Sequence, residues 1–359
     1  MATTVHDVTV LDDTFTELAY LESWLTLRYR LALNEPTHCA LDLALDDPKV
    51  ASCTPMRYLR VLRNGVDVWL GRIQTAGWMD DEENAASNVY PLDAWDMIAE
   101  LGTRTLPRPA GMDFNERTGP ADDLAKAYVY YEAGAGAIGA RRVNGLTVAV
   151  DASAVANVTK LWLGGTLLEH LQRVAKEQSF YWGLAPTYAV GGALTGMEFR
   201  TAYPLWGSDL SKGKAGEIVL AQDNHNIKSI AYKVDLSDHV NHIYVAGPGE
   251  DRNQLVREVE DAAAVAAYGR REAWITSDNI TEAGLDADGA QYLAQHQVVE
   301  QLIAVVLPGV LTPAHLGYKI TVFDHRYGRT EQQDCVITAI NVSVGSDGVE
   351  VLTPELTVV

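Results

Sequence analysis

The chain has 359 residues, of which 47% are hydrophobic, and it carries 48 Asp and Glu against 28 Lys and Arg. Its length predicts two to four subdomains, and its mean hydropathy of -0.06 is typical of an ordinary globular protein. The net charge of -20 argues against ordinary nucleic-acid binding, because Lys and Arg are needed to displace counterions from phosphates.

Two further features concern the cellular compartment. No apolar run approaches the ~20 residues of a membrane helix, and the N-terminus lacks the basic and apolar regions of a secretory signal. The three cysteines, Cys39, Cys53 and Cys335, suit neither a disulfide framework nor a zinc knuckle. We therefore expect reduced thiols and assembly in a reducing cytoplasm.

Residues 1–106 are predicted to be mostly β. Residues 24–33 and 39–45 alternate between apolar and polar side chains, which is the pattern of half-buried strands. Asn64 and Gly65 predict a two-residue hairpin turn, because Asn-Gly readily supplies the positive φ angles that such a turn needs. Further strands are expected at residues 5–11, 56–62 and 66–73.

A glycine motif at residues 134–139 matches Gly-x-Gly-x-x-Gly, with Asp151 downstream. A dinucleotide-binding fingerprint needs a strand before this motif and a helix after it. Residues 127–131 fit a strand, but the next turn, Asn144-Gly145, follows too soon for a helix of useful length. We therefore expect a loop here, no nucleotide site and no bound cofactor.

The clearest helix start is at Thr166. This residue can cap the helix, with Glu169 three residues later as its capping-box partner. The apolar stripe consists of Leu167, Leu168, Leu171, Val174 and Ala175. A hairpin is predicted next, from residues 180–184 and 196–201.

Residues 236–280 are predicted to form a strand, a glycine-proline turn, a polar connection and a second strand. Residues 242–246 are the first strand, ended by Gly247-Pro248-Gly249, and residues 273–275 are the second. The charged segment 251–261 between them fits either a surface helix or a long hairpin arm. Strands at 217–220 and 227–234 precede this stretch. A helix at 290–306, stopped by Pro308-Gly309, and strands at 318–323, 335–344 and 349–352 follow it.

Candidate chemical sites are few. His239 and His242 would face opposite sides of a strand, so no metal site is expected. The sequence contains no His-Glu-x-x-His, Gly-x-Ser-x-Gly or Walker motif. Acids and aromatics concentrate at one place, which more plausibly packs at a domain edge than forms an active site: Trp69, Trp78, Asp93, Trp95 and Asp96. We predict no catalytic, cofactor-binding or metal-binding residues.

Several of these motifs resemble those of the baseplate hub, or minor tail protein, of long-tailed bacteriophages. In residues 236–280 the matching positions are Asn241, Tyr244, Val245, Gly247, Gly249, Arg252, Tyr268, Gly269, Glu272 and Trp274. Matches elsewhere are residues 30–34, 41–45 and 63–73, then Val129, Gly134, Ala137 and Arg141, then Leu167, Leu168 and Leu171, residues 198–201, and Gly207, Asp209 and Ser211.

The resemblance implies a mainly β fold with α/β insertions. Two similar antiparallel β-barrel domains of the tail-tube type are expected at residues 1–106 and 218–359. A mixed α+β region is inserted at residues 107–217, and a helical insertion at about 248–310 lies within the second β domain.

The resemblance also implies a structural virion protein at the tail tip, assembled in the host cytoplasm. A homotrimeric ring would continue the tail tube and let DNA pass through its lumen without specific binding. The implied partners are the distal tail protein and other tail-tip or fibre proteins, with no membrane insertion by this chain. Two alternatives stay open: a tail-associated carbohydrate hydrolase, and the hub of a contractile injection machine other than a phage.

Overall fold

The computed structural model describes residues 4–77, 88–106, 115–162, 165–249, 254–326 and 329–359. The chain divides into two compact units, Met1–Ile230 with Ile303–Val359, and Ala231–Leu302. Among the described residues, no helix combines the length and apolar character that crossing a bilayer requires.

The N-terminal strands form a continuous antiparallel sheet, with the order β3-β4-β7-β6-β5-β1-β2. The predicted hairpin turn is confirmed, with φ of 51° at Asn64 and 77° at Gly65. The predicted strands are also confirmed, whereas β2 and β7 have no counterpart among the predicted elements. The strands are β1 (His6–Leu11), β2 (Glu17–Leu21), β3 (Trp24–Ala32), β4 (His38–Ala44), β5 (Tyr58–Arg63), β6 (Val66–Ala76) and β7 (Val89–Asp96).

The region that follows is mixed α+β. Its elements are α1 (Ala99–Gly102), β8 (Asn115–Pro120), α2 (Ala121–Glu132), β9 (Leu146–Val148), β10 (Asn157–Trp162), α3 (Leu167–Gln178), β11 (Tyr181–Tyr188) and β12 (Leu194–Ala202). The capping box of α3 is confirmed, because the Thr166 hydroxyl accepts from Glu169 N and the Glu169 carboxylate accepts from Thr166 N. A shared apolar core joins α2 and α3 to the β11–β12 hairpin through Tyr128, Leu171 and Trp182.

Residues 127–131, which fit a strand by sequence, form the second half of α2 instead. Its buried residues Ala121, Leu124, Ala125, Tyr128 and Val129 recur at helical spacing, and Pro120 begins the helix. The glycine motif at 134–139 then ends a helix instead of starting one, since Gly134 N donates to Val129 O at 2.7 Å.

After β13 (Val219–Ala221) and β14 (Ile227–Asp235), the chain forms the smaller unit. Its three-stranded sheet has the order β16-β15-β17. Its elements are β15 (His242–Ala246), β16 (Val256–Glu260), α4 (Ala262–Tyr268), β17 (Glu272–Thr276) and α5 (Glu282–Gln295). β16 is antiparallel to β15, so the hairpin-arm alternative is confirmed for residues 256–260, while β17 runs parallel to β15.

Helix α5 packs directly on this small sheet. Ile243 and Val245 of β15 form the core with Leu285 and Leu293 of α5. Gly289 makes the close approach feasible, because a Cβ there would lie 2.6 Å from Val259 Cγ2.

The helix predicted at 290–306 is wrong in its second half. Helix α5 begins after Thr281, whose hydroxyl accepts from Gly284 N, and it ends at Gln295. Residues from Val299 onward form β18 (Val299–Val306), where Leu302, Ala304 and Val306 are buried at the two-residue spacing of a strand. The apolar residues of this segment therefore serve two different elements.

The C-terminal strands complete the main sheet of 13 strands, whose principal order runs from β14 through β18, β21, β20 and β3 to β2. They are β19 (Lys319–Arg326), β20 (Arg329–Gly345) and β21 (Glu350–Val358). Strand β20 pairs with β19, β21 and β3, so strands from both ends of the chain share one sheet. The mainly β prediction is confirmed, and the described strands form open sheets.

A partly buried ion pair shows that the main sheet curves back on itself. Arg63, on β5, donates to both carboxylate oxygens of Glu350, on β21, at 2.7 and 2.8 Å. His6 Nε2 lies 3.2 Å from the same carboxylate. Because five strands, β20, β3, β4, β7 and β6, lie between β21 and β5 in the sheet order, only strong curvature brings these side chains together.

Candidate functional site

The larger unit contains a cavity of about 540 Å³. It lies between strands β3 and β6, the β11–β12 hairpin and residues 313–316. Apolar side chains dominate its lining, among them Leu31, Leu70, Leu184, Pro186, Met197 and Trp206. Polar groups in the lining include Thr37, Asp67, Asp96 and Arg200, so the recess combines apolar surface with a few fixed charges.

Asp96 is held at the wall of this cavity by Thr37. Its Oδ2 accepts from the Thr37 backbone N at 3.0 Å and from the Thr37 hydroxyl at 2.8 Å. The same hydroxyl accepts from Trp69 Nε1 at 3.1 Å. Burial raises the pKa of the Asp96 carboxyl to about 7, although the hydrogen bonds from Thr37 act in the opposite direction.

The five residues of the predicted acid and aromatic cluster do not stay together. Trp69 and Asp96 are joined through Thr37, whereas Asp93 and Trp95 are exposed at alternate positions of β7. Trp95 stacks obliquely on His38, with ring centroids 5.7 Å apart. Trp78 lies outside the described residues.

Asp67 is the other carboxylate of the cavity lining, and three donors already engage it. Arg60 Nε donates to Oδ1 at 2.5 Å and Arg60 Nη2 to Oδ2 at 2.8 Å. The Tyr188 hydroxyl donates to Oδ2 at 2.5 Å. Glycoside hydrolysis typically needs two working carboxyl groups, one for proton transfer and one as base or nucleophile. The cavity therefore offers one carboxyl suited to proton transfer and one that is fixed in an ion pair.

The two histidines of the sequence motif have separate roles in the smaller unit. His239 Nδ1 lies 2.9 Å from the backbone O of His296. His242, on β15, is fully buried, with Nδ1 at 3.0 Å from Glu260 and Nε2 at 2.9 Å from Glu258. In the described parts of the chain, no three His, Cys, Asp or Glu side chains are grouped as a metal would require.

The ends of the main sheet are the other candidate sites. β2 and β14 are the terminal strands of the described order, so each leaves one side free for another strand. On β2, Leu18 is 43% exposed and lies near Tyr20, whose hydroxyl donates to Asp7. Sequence reasoning missed this edge because it depends on strand order, which no local pattern encodes.

The sequence matches the model of a family described as Siphovirus ReqiPepy6 Gp37-like protein over residues 7–310. A search of curated protein sequences found no match.

Solved structures share the fold at low sequence identity. The tail protein from Neisseria meningitidis MC58 gives a TM-score of 0.59 at 14% identity, covering 99% of this chain and 97% of that one. The 43 kDa tail protein of prophage MuSo2 from Shewanella oneidensis gives 0.58 at 14% identity, covering 99% and 96%. A chain of the Francisella PdpA-VgrG complex gives 0.53 at 9% identity, covering 99% of this chain and 52% of that one.

Proposed function

The chain belongs to the Siphovirus ReqiPepy6 Gp37-like family and is a structural phage tail protein of the baseplate type, and from this premise we propose that it forms a homotrimeric hub ring at the tail tip. In this proposal the ring continues the tail tube and lets DNA pass on ejection. Its partners are the distal tail protein on one side and other tail-tip or fibre proteins on the other.

The observation that carries this proposal is the open main sheet with free terminal strands β2 and β14. Each chain would supply two similar β domains, residues 1–106 and 218–359, with residues 107–217 and about 248–310 as insertions. Three chains would then place six like domains around a pseudo-sixfold ring. With ~4 strands from each domain the barrel has ~24 strands, and ~16 already leave an aqueous lumen.

The acidic balance of the chain supports passage of DNA without binding. A basic wall would retain DNA through counterion release, whereas acidic and small polar residues facing the lumen repel it at short range. Salt screens this repulsion beyond ~8 Å, so it would keep DNA central without opposing ejection strongly.

Oligomeric mass in solution tests the ring. We expect light scattering to give three times the chain mass of 39.1 kDa at high protein concentration. Leu18→Lys, at the exposed edge strand, should shift the protein toward smaller species, whereas Val66→Lys, at the exposed hairpin turn, should not. A monomer at every concentration, or a ring of six identical chains, contradicts the proposal.

A carbohydrate hydrolase is the second candidate, and Asp96 is the observation that favours it. A carboxyl with a pKa of about 7 in a cleft suits general acid catalysis near neutral pH. If the purified chain releases reducing ends from host wall polysaccharide, Asp96→Asn should abolish that release. Because Asp67 is already fixed in an ion pair, it is not available as the second working carboxyl group, and this favours the structural role over hydrolysis.

The fold is also similar to that of a chain in the Francisella PdpA-VgrG complex. The alternative role as the hub of a contractile injection machine other than a phage therefore stays open. The family assignment favours the phage tail. Labelling of virions with an antibody against this chain distinguishes the two settings, since a phage hub is located at the tail tip.

A further inference from the structure

Helix α5 packs on only one of the two faces of the small sheet of residues 231–302. Ile243, Val245 and Ile275 face the core with α5. The opposite face, which we call the open face, carries His242 and Tyr244 of β15, Glu258 and Glu260 of β16, and Glu272 and Trp274 of β17. Trp274 is 58% exposed, and the Glu258 and Glu272 side chains are 54% and 51% exposed. Trp274 therefore offers a partner an exposed aromatic ring beside carboxylates.

Two aromatic rings form the centre of the open face. Tyr244 and Trp274 are direct neighbours in register, and their rings stack with centroids 5.9 Å apart and planes at 30°. Glu258 lies on the strand beside Tyr244, and Glu272 precedes Trp274 by two positions on the same face. The stacked rings present negative π-faces, to which a cationic side chain is attracted.

The open face already binds one guanidinium group of its own chain. Arg270 donates to Glu272 at 2.6 Å, to the Tyr244 hydroxyl at 2.9 Å and to Glu258 at 3.4 Å. Glu260 lies 3.7 Å away. With one arginine against three glutamates and a buried histidine, the face keeps surplus negative charge. The geometry of these carboxylates and the Tyr244 hydroxyl therefore suits a planar cation.

The whole small unit shares this charge. Residues 231–302 contain 13 Asp and Glu against 5 Lys and Arg, a net charge of -8 within the -20 of the chain. About two fifths of the net negative charge thus lies in about one fifth of the residues. A partner that docks here has to be cationic, because an acidic one would be repelled at every approach.

We propose that the open face is a docking site for a segment of a protein partner rich in arginine or lysine. One cationic side chain stacks on Trp274 and Tyr244, and Glu258 and Glu272 accept its hydrogen bonds. This inference does not depend on the ring described above, because the small unit carries all the residues that it uses.

A fluorescent peptide that alternates arginine with glycine tests the site, with the full chain titrated into the peptide and its anisotropy followed. The same peptide with glutamine in place of arginine should not bind. Trp274→Ala should weaken binding about fivefold, since cation–π contacts at exposed sites are modest. Glu258→Gln with Glu272→Gln should weaken it at least as much. Raising the salt from about 0.05 M to about 0.3 M should weaken it further.

A matched variant separates the site from general charge. Asp223→Asn with Asp238→Asn removes the same two charges from exposed positions outside the strands of the small sheet. This variant should bind the peptide nearly as well as the parent chain. Equal weakening by both double variants, or unchanged binding by Trp274→Ala, overturns the proposal. Binding of a neutral polysaccharide that depends on Trp274, without peptide binding, also overturns it in favour of a sugar site. Circular dichroism of each variant confirms that the fold is retained.

Discussion

At the residue scale, the partly buried carboxylate of Glu350 connects strands that are distant in the sequence. Burial alone would raise its pKa, but hydrogen bonds from Arg63 and His6 outweigh burial and lower the pKa to about 2. A lowered pKa means that the folded chain holds the ionised form more tightly than the unfolded chain does. This contribution to stability is present above a pH of about 4.5 and is lost as the pH falls toward 2.

Glu350→Gln should therefore lower the free energy of unfolding by about 2–3 kcal/mol at neutral pH. The difference from the parent chain should shrink as the pH falls through the same window, which urea unfolding at several pH values measures. Glu22→Gln is the control, because its pair with Lys49 is exposed and such pairs contribute about 0–1 kcal/mol. Parallel pH profiles for the parent chain and Glu350→Gln would show that this ion pair does not stabilise the fold.

The raised pKa of Asp96 changes stability with pH in the opposite direction to the lowered pKa of Glu350. With its pKa raised to about 7, the folded chain prefers the protonated form, so the stability at low pH is lost progressively as the pH rises to about 7. Asp96→Asn stays neutral and keeps an acceptor for Thr37. We expect this variant to exceed the parent chain in unfolding free energy by about 2–4 kcal/mol near pH 8, with the gap closing near pH 4.

A second variant separates charge from hydrogen bonding at this position. Asp96→Ala removes the carboxyl but leaves Thr37 without its acceptor, so it should gain less stability at pH 8 than Asp96→Asn does. Thermal unfolding at pH 5 and about pH 8 measures both effects. A parent chain more stable than Asp96→Asn at pH 8 would mean that the hydrogen bonds from Thr37 and from Ala99 N outweigh the cost of burying the charge of Asp96.

At the element scale, helix α3 depends on its capping box. Thr166→Ala removes the acceptor for Glu169 N and should cost about 1 kcal/mol of stability. Glu169→Gln is the matched control, since glutamine still accepts from Thr166 N and should cost less. Chemical denaturation of the two variants compares them, and equal losses would mean that the carboxylate charge matters more than the reciprocal hydrogen bonds.

Elements with local signals could be predicted from the sequence, and those with distant partners could not. The capping box of α3 and the Asn64-Gly65 turn each depend on residues within four positions of one another. The pairing of β3 with β20 and the parallel pairing of β15 with β17 depend on tertiary contacts. At the candidate site, Trp69 and Asp96 belonged to one predicted cluster, but Thr37, which joins them, comes from a distant loop without a distinctive motif.

The boundary between α5 and β18 shows how the helical spacing and the two-residue strand spacing of apolar residues overlap in one segment. Apolar residues Leu293, Val298, Leu302 and Val305 fit one side of a long helix, which hides the two-residue spacing of Leu302, Ala304 and Val306. The β-branched pair Val298-Val299 marks the change of element. The tertiary contacts of the main sheet decide the outcome, because β18 joins β14 to β21.

At the scale of the whole molecule, the net charge of -20 determines how the chain meets DNA. We expect no mobility shift of double-stranded DNA by the purified chain at physiological salt, because too few cations are available to release counterions. Tight binding of DNA by the parent chain would contradict the proposal that DNA passes through the lumen without binding to its wall.

The pairing of β3 with β20 also has a consequence for synthesis. Leu31 pairs with Ile340, and Arg63 and Glu350 are 287 residues apart, so the centre of the main sheet closes only after most of the chain has been made. At typical elongation rates this leaves β3 without its partner β20 for roughly 15–60 s on the ribosome. An unpaired strand edge recruits other chains during that interval. We therefore expect the length of this interval, more than the stability of the finished fold, to set how much soluble protein a cell accumulates, and slower elongation, which lengthens the interval, should lower the soluble fraction.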